Sequence, residues 1–174
     1  MLLRAFLALA LALAPDLAVA ASSNPSGLPL PRFVVIRAKD ATVRVGPGYQ
    51  YDIAWKYLLT GVPVEVIAEY DVWRKIRDVD GTEGWVHQSA LTGGRAGYVL
   101  ETVPGQIGLR NSAADDAAIV AWVGPGFPVK IDSCNGAWCG VSATDNPPGG
   151  KGATYTGYLP ESDLWGVYAG ERFD

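Results

Sequence analysis

Enzymatic chemistry needs nucleophiles, bases, acids or metal ligands held close together, so residues of those types come first. Histidine occurs once, as His87, and cysteine twice, as Cys134 and Cys139. A hydrolase pairs His with a nucleophilic Ser and an acid that orients the imidazole. His87 has Ser89 two residues downstream and Asp80 upstream. On a strand, His87 and Ser89 share a face, but the sequence supplies no orienting acid. A strand-end histidine without catalysis is the expectation. Asp78-Val79-Asp80-Gly81 begins like a calcium loop, yet the later Gly and the closing Glu of an EF-hand are missing. A hairpin turn is expected there. Gly149-Gly150-Lys151-Gly152 lacks the upstream Gly of a phosphate-binding loop and has Gly152 where Ser or Thr is required. No catalytic set, metal site or cofactor site is therefore expected.

The elements that would position these residues are short strands. Pro63 to Tyr70 alternates, with Val64, Val66 and Ala68 on one face and Glu65, Ile67 and Glu69 on the other. Trp73 to Val79 puts Trp73, Lys75, Arg77 and Val79 on one face and Arg74, Ile76 and Asp78 on the other. Asp80-Gly81 then marks a tight hairpin turn, and Gly84-Trp85-Val86 starts the next strand. Downstream of residue 20 no stretch shows a sustained helical period of apolar residues. With 21 Gly, 12 Pro and six Trp, the composition suits an all-β chain with many turns. A net charge of −4 lacks the basic excess of a nucleic-acid binder, and no polybasic cluster addresses anionic lipid.

Residues 1–20 read as a secretory signal peptide. Arg4 is the positive start, Ala5 to Ala14 is an Ala/Leu/Phe run, and Ala18-Val19-Ala20 is a small-residue cleavage site. The run is too short for the roughly 20 residues that cross a bilayer. Cleavage after Ala20 leaves a chain with no further long apolar stretch, expected to be secreted or periplasmic without membrane insertion. Residues 21–31 are rich in Ser, Pro and Gly and read as a flexible leader.

An internal repeat organises the rest. Val43-Arg44 recurs as Leu109-Arg110, Gly61-Val62-Pro63-Val64 as Gly126-Phe127-Pro128-Val129, and Trp73 as Trp138. Gly84-Trp85-Val86 recurs as Gly157-Tyr158-Leu159 and Ser89-Ala90-Leu91 as Ser162-Asp163-Leu164. The spacing lengthens at one place, where the second copy carries an insertion within Asp145 to Gly152. The expected units are 32–96 and 97–174, each near the size of about 60 residues at which independent folding is marginal.

The repeat places Cys134 and Cys139 at the strand-turn-strand position of Glu69 to Arg74. Paired across a tight turn, they would face each other at disulfide distance. The spacing is not the CxxC of a redox pair, and a metal site would need further ligands. A structural disulfide, formed in an oxidising compartment, is expected.

The first unit resembles the bacterial SH3 family. The residues that carry the resemblance are Val43-Arg44-Val45-Gly46-Pro47-Gly48, Gly61-Val62-Pro63-Val64-Glu65-Val66-Ile67, Trp73-Arg74-Lys75-Ile76, Asp80-Gly81-Thr82-Glu83-Gly84-Trp85-Val86 and Ser89-Ala90-Leu91. Thr42 stands where Asn is usual, and the second unit has Tyr158 and Leu159 where Trp and Val are usual. The resemblance implies two tandem SH3-like small β-barrels, all-β, of five to seven strands each. It further implies a non-catalytic binding module, directed to peptidoglycan or to an envelope protein or peptide. In such barrels the first long loop and the next turn border a shallow groove, which makes Tyr49, Tyr51, Trp55, Tyr70 and Trp85 the candidate ligand contacts. For Trp55 and Trp85, core or inter-unit packing is the favoured reading, and Tyr49 and Tyr51, in a polar loop, are the better ligand candidates. Tyr155 to Tyr158 is a weaker counterpart in the second unit. A structural role, with the groove filled by Leu28-Pro29-Leu30-Pro31 of the leader as polyproline II, is the alternative. An uncharacterised enzyme is a more remote one.

Overall fold

A computed structural model describes residues 24–145 and 151–174. The expected signal peptide, the start of the leader and most of the Pro/Gly insertion lie outside the described residues.

The first unit consists of β1 (Arg32–Ile36), β2 (Ala41–Arg44), β3 (Ile53–Tyr57), β4 (Pro63–Tyr70), β5 (Trp73–Arg77), β6 (Glu83–His87), a 3₁₀ turn (Gln88–Ala90) and β7 (Leu91–Thr92). The second consists of β8 (Ala96–Val99), β9 (Ile107–Arg110), β10 (Ile119–Val123), β11 (Pro128–Asn135), β12 (Trp138–Thr144), β13 (Thr154–Pro160), a 3₁₀ turn (Glu161–Asp163), β14 (Leu164–Trp165) and β15 (Arg172–Phe173). The two sheets repeat one order, β3-β2-β6-β5-β4-β1-β7 and β10-β9-β13-β12-β11-β8-β14, with β15 added beside β11.

In each sheet the inward face collapses into one cluster. Ile36, Val43, Val64, Val66, Ile76 and Val86, from five strands, pack together in the first unit. Leu109, Val129, Ile131, Val141 and Leu159 do the same in the second. A single face that contacts itself across the whole sheet must be curled, which is the barrel geometry expected for these units. Leu164 joins its core after the 3₁₀ turn, and Leu91 packs against the other.

The units are joined by more than the chain. Phe33 of β1, 7% exposed, meets Trp165 edge-on at 5.0 Å and Tyr168 at 4.7 Å. The Tyr168 hydroxyl donates to the buried Glu65 carboxylate at 2.9 Å. Burial, then that hydrogen bond, raises the Tyr168 hydroxyl above its ordinary value. Arg95 lies over the Phe173 ring, 4.4 Å from its centroid, and is paired with Glu171.

Two expectations need correction. Strict alternation puts Glu69 on the face opposite Val64 and Val66. A bulge between Val66 and Ala68 shifts the register, so Glu69 stands opposite Arg74 with its side chain fully buried. The hairpin after β5 is closed by Asp78 and Gly81, with Gly81 at φ +85° rather than in a two-residue Asp80-Gly81 turn.

Candidate functional site

The loop from Val45 to Asp52 joins β2 to β3 and is closed at its base by the Val45 amide, which donates to the Asp52 carbonyl at 3.1 Å. Arg44 reaches across it and donates to the Tyr51 carbonyl at 2.6 Å. The Tyr51 ring covers Gly46, where a Cβ would lie 2.5 Å from the ring, so only glycine lets the tyrosine settle there. These contacts fix the loop and set Tyr49 on the outer face of the sheet.

That face is built by register. Tyr70 pairs with Trp73, and Trp73 with His87, across three adjacent strands. Tyr49 sits edge-on to Trp73 at 5.0 Å and stacks with His87 at 6.1 Å, while Trp73 and His87 are themselves edge-on at 5.5 Å. The Arg44 guanidinium lies 5.7 Å from the Tyr49 ring centroid. Tyr49 is nonetheless 70% exposed. An exposed aromatic held on several sides is preorganised: little side-chain entropy remains to be lost when a ligand packs on it.

The candidate contacts divide between this cluster and other places. Tyr49 belongs to it, Tyr70 stands exposed at its margin, and Tyr51 is spent on Gly46 with part of its ring in solvent. Trp55 packs against the core of its unit, over Gly84, where a Cβ would lie 2.8 Å from the indole. Trp85 lies half-buried on β6, opposite Lys75 and Arg44 in register. Trp73 and His87 were not among the sequence-derived contacts. The signal was present in the alternation of β5, which turns Trp73 away from Ile76, but the partner strand that brings His87 beside it is a matter of register.

His87 and Ser89 do meet. The Ser89 amide donates to His87 Nδ1 at 3.2 Å, and the Ser89 hydroxyl lies 2.7 Å from the same nitrogen. Because an amide only donates, Nδ1 is the unprotonated nitrogen and Nε2 carries the hydrogen. The imidazole thereby caps the Gln88–Ala90 turn. Among the described residues no carboxylate hydrogen-bonds this histidine, and no group of three metal-ligating side chains occurs.

The second unit lacks the aromatic floor. By the repeat, Asp115 and Ala117 replace Tyr49 and Tyr51, and Pro160 replaces His87. Arg110 keeps the function of Arg44, donating to the Ala117 carbonyl at 2.8 Å. Tyr155 is exposed beside Trp122 in a cleft of about 410 Å³ along β10. Cys134 and Cys139 form a disulfide, their Cα atoms 4.1 Å apart on paired strands.

Two small curled sheets of one topology, with a clamped loop after the second strand and a 3₁₀ turn before the last, define a tandem SH3-like protein. The bacterial SH3 domain family matches the chain twice, over residues 37–93 and 103–166, which is more than half its length. The chain belongs to that family. Among solved structures it is similar to NlpC2 from Trichomonas vaginalis, at 12% identity and a TM-score of 0.32, covering 78% of this chain and 48% of that one. It is also similar to NlpC1 from the same organism, at 13% identity and a TM-score of 0.32, covering 88% and 50%. The chain spans about half the length of these two proteins. No curated protein matches it.

Proposed function

We propose that this protein is a non-catalytic binding module of the bacterial cell envelope, secreted or periplasmic, and that its ligand is a cell-wall peptide or a peptide segment of an envelope protein. The observation that carries the proposal is Tyr49. Its ring is 70% exposed yet fixed by Trp73, His87 and Arg44. Flat, immobilised aromatic surface beside a cation and a hydrogen-bonding imidazole suits an extended peptide, which offers apolar side chains and carbonyls together. The disulfide fits an oxidising compartment. Membership in a family of binding domains supports the non-catalytic reading.

The test is sedimentation of the purified protein with insoluble peptidoglycan, beside a Tyr49→Ala, Tyr51→Ala variant. Binding by the parent that disappears in a still-folded variant is expected. If neither protein sediments, peptidoglycan is not the ligand and a protein partner takes its place.

One observation favours a second reading, in which the leader occupies its own barrel. The Ser26 amide and hydroxyl donate to the Glu69 carboxylate at 2.9 and 2.7 Å, and Leu30 packs against the first core. These contacts run to Glu69 and leave Tyr49 exposed. Deleting residues 24–31 separates the two readings. A self-occupied groove predicts that ligand binding improves, and an open one predicts no change.

A further inference from the structure

We infer that the second unit carries a separate site for a primary alkylammonium group, in the cleft beside Glu161. In the first unit Gln88 opens the 3₁₀ turn and accepts a hydrogen bond from the Arg74 guanidinium at 2.7 Å. The repeat places Glu161 at the position of Gln88 and Cys139 at that of Arg74. The same backbone bond anchors both turns, Gln88 to the Val72 carbonyl and Glu161 to the Ala137 carbonyl, each at 2.9 Å. The second unit has therefore gained a negative charge at the Gln88 position and lost the cation that faces it at the Arg74 position.

Glu161 is 6% exposed. One carboxylate oxygen accepts from the Glu171 amide at 3.2 Å; the other has no hydrogen-bond partner among the described residues. Nor does any described cation form an ion pair with it. Arg172 lies over Gly136 at the rim, but its guanidinium is not within ion-pair reach of Glu161. The second oxygen is not sealed inside the protein but keeps solvent contact where Glu161 lines a cleft, so a positive group can reach it there.

The surroundings set the shape of that group. Glu161 lines a cleft of about 400 Å³ together with the small residues Gly136, Ala137 and Ala169 and the apolar Leu164 and Val167. A planar, forked guanidinium pairs best with both oxygens of a carboxylate, and here one already accepts from the Glu171 amide; a compact ammonium needs one oxygen and room for a methylene stem. The cleft offers a single carboxylate, the Ser162 hydroxyl and apolar walls. A lysine side chain of a peptide, or a free diamine, has this chemistry.

The site is independent of the aromatic face of the first unit, so the sedimentation test and this one succeed or fail separately. The experiment is a titration of the whole protein with Nα-acetyl-lysine methylamide, followed by amide chemical shifts, with the norleucine analogue as the uncharged control. Saturable shifts confined to Ser162, Val167, Ala169 and Gly170 are expected from the lysine probe and not from the control. Glu161→Gln, which preserves the bond to the Glu171 amide, should weaken binding at least tenfold. Ala169→Leu, which fills the cleft without touching the carboxylate, should block it and keeps the test decisive if the first variant misfolds. A parallel titration with cadaverine assigns the source: tighter binding of the lysine probe points to a peptide, and equal binding to a free diamine. No saturable shift in the parent, equal shifts with norleucine, or binding unchanged by both substitutions would overturn the proposal.

Discussion

One cross-strand position has been solved in two ways within a single chain. In the first unit it is Glu69 opposite Arg74, an ion pair at 3.2 Å with the carboxylate fully buried. In the second it is Cys134 opposite Cys139, a covalent bond in the same register. Both close the hairpin between the long central strands. The ion pair recruits partners, since Glu69 also accepts from Arg32 at 2.6 Å and from Ser26. The disulfide makes no such side-chain contacts among the described residues, and the described part of the leader, from residue 24, docks on the first unit. The comparison teaches that a charged staple also provides a docking point for other chain, whereas a covalent one frees the neighbouring positions, of which Glu161 is the most conspicuous.

The comparison breaks hardest at Glu69. Glu69→Ala leaves Arg74 buried and unpaired, and removing one partner of a buried pair costs about 3–5 kcal/mol. A drop in urea midpoint of that size is expected, with protection from hydrogen exchange lost first in β4 and β5. If stability falls by less than about 1 kcal/mol, the pair is weaker than its burial implies. Converting Glu69 and Arg74 together to cysteine should restore much of the loss under oxidising conditions and little under reduction.

Reduction of the native disulfide is the next effect in size. The closed loop is short, so chain-entropy reasoning assigns it about 2 kcal/mol. Thermal melts with and without reductant should show that loss, confined to the second unit, whereas a melt unmoved by reductant would mean that β15 pairing already secures the hairpin.

Acid sharpens the same contrast. Burial pushes the Glu69 carboxyl up, but the Ser26 hydroxyl and amide, Arg32 and Arg74 outweigh it, and the group is held below its ordinary value. The folded value then lies below the unfolded one, so unfolding takes up a proton. The stabilisation is complete above the ordinary glutamate range and disappears as pH falls through the lowered folded value. Leader contacts at Ser26 should loosen in that window, and the double-cysteine variant should show no such step. A step that persists in that variant would assign it to another carboxylate, Glu83 or Asp132 among those held low.

The smallest effects concern the loops. Arg44→Ala and Arg110→Ala each remove a guanidinium-to-carbonyl bond, worth about 1 kcal/mol, with Arg110 the larger because its bond is better shielded. Tyr49→Ala should change stability by no more than about 0.5 kcal/mol, since the ring is mostly in solvent. A larger loss would mean that Tyr49 is a structural lid on Trp73 rather than a binding surface.

Much of this architecture is written along the chain. Alternation of apolar residues needs only the period-two geometry of a strand, so β4, β5 and their inner faces through Val66 follow from local pattern. The repeat likewise aligns Glu69 with Cys134 and Arg74 with Cys139, and paired strands across a tight turn are then enough to bring the two cysteines together. Glu69 itself was misassigned, because a bulge is one extra residue that no local pattern announces. The aromatic floor is only partly legible: Tyr49 stands out by its place in the first long loop, whereas Trp73 and His87 become neighbours only through pairing of β5 with β6.

The sequence by itself determined the strands, the two-unit repeat and the cysteine pair, because each depends on local pattern or on spacing read along the chain. Only the tertiary structure decided that Phe33, Trp165 and Tyr168 join the units, that Glu69 turns inward, and that Glu161 lies buried without a described cation. Those outcomes depend on register and on contacts between residues far apart in the chain, and periodicity carries no information about which distant side chain will fill the space opposite.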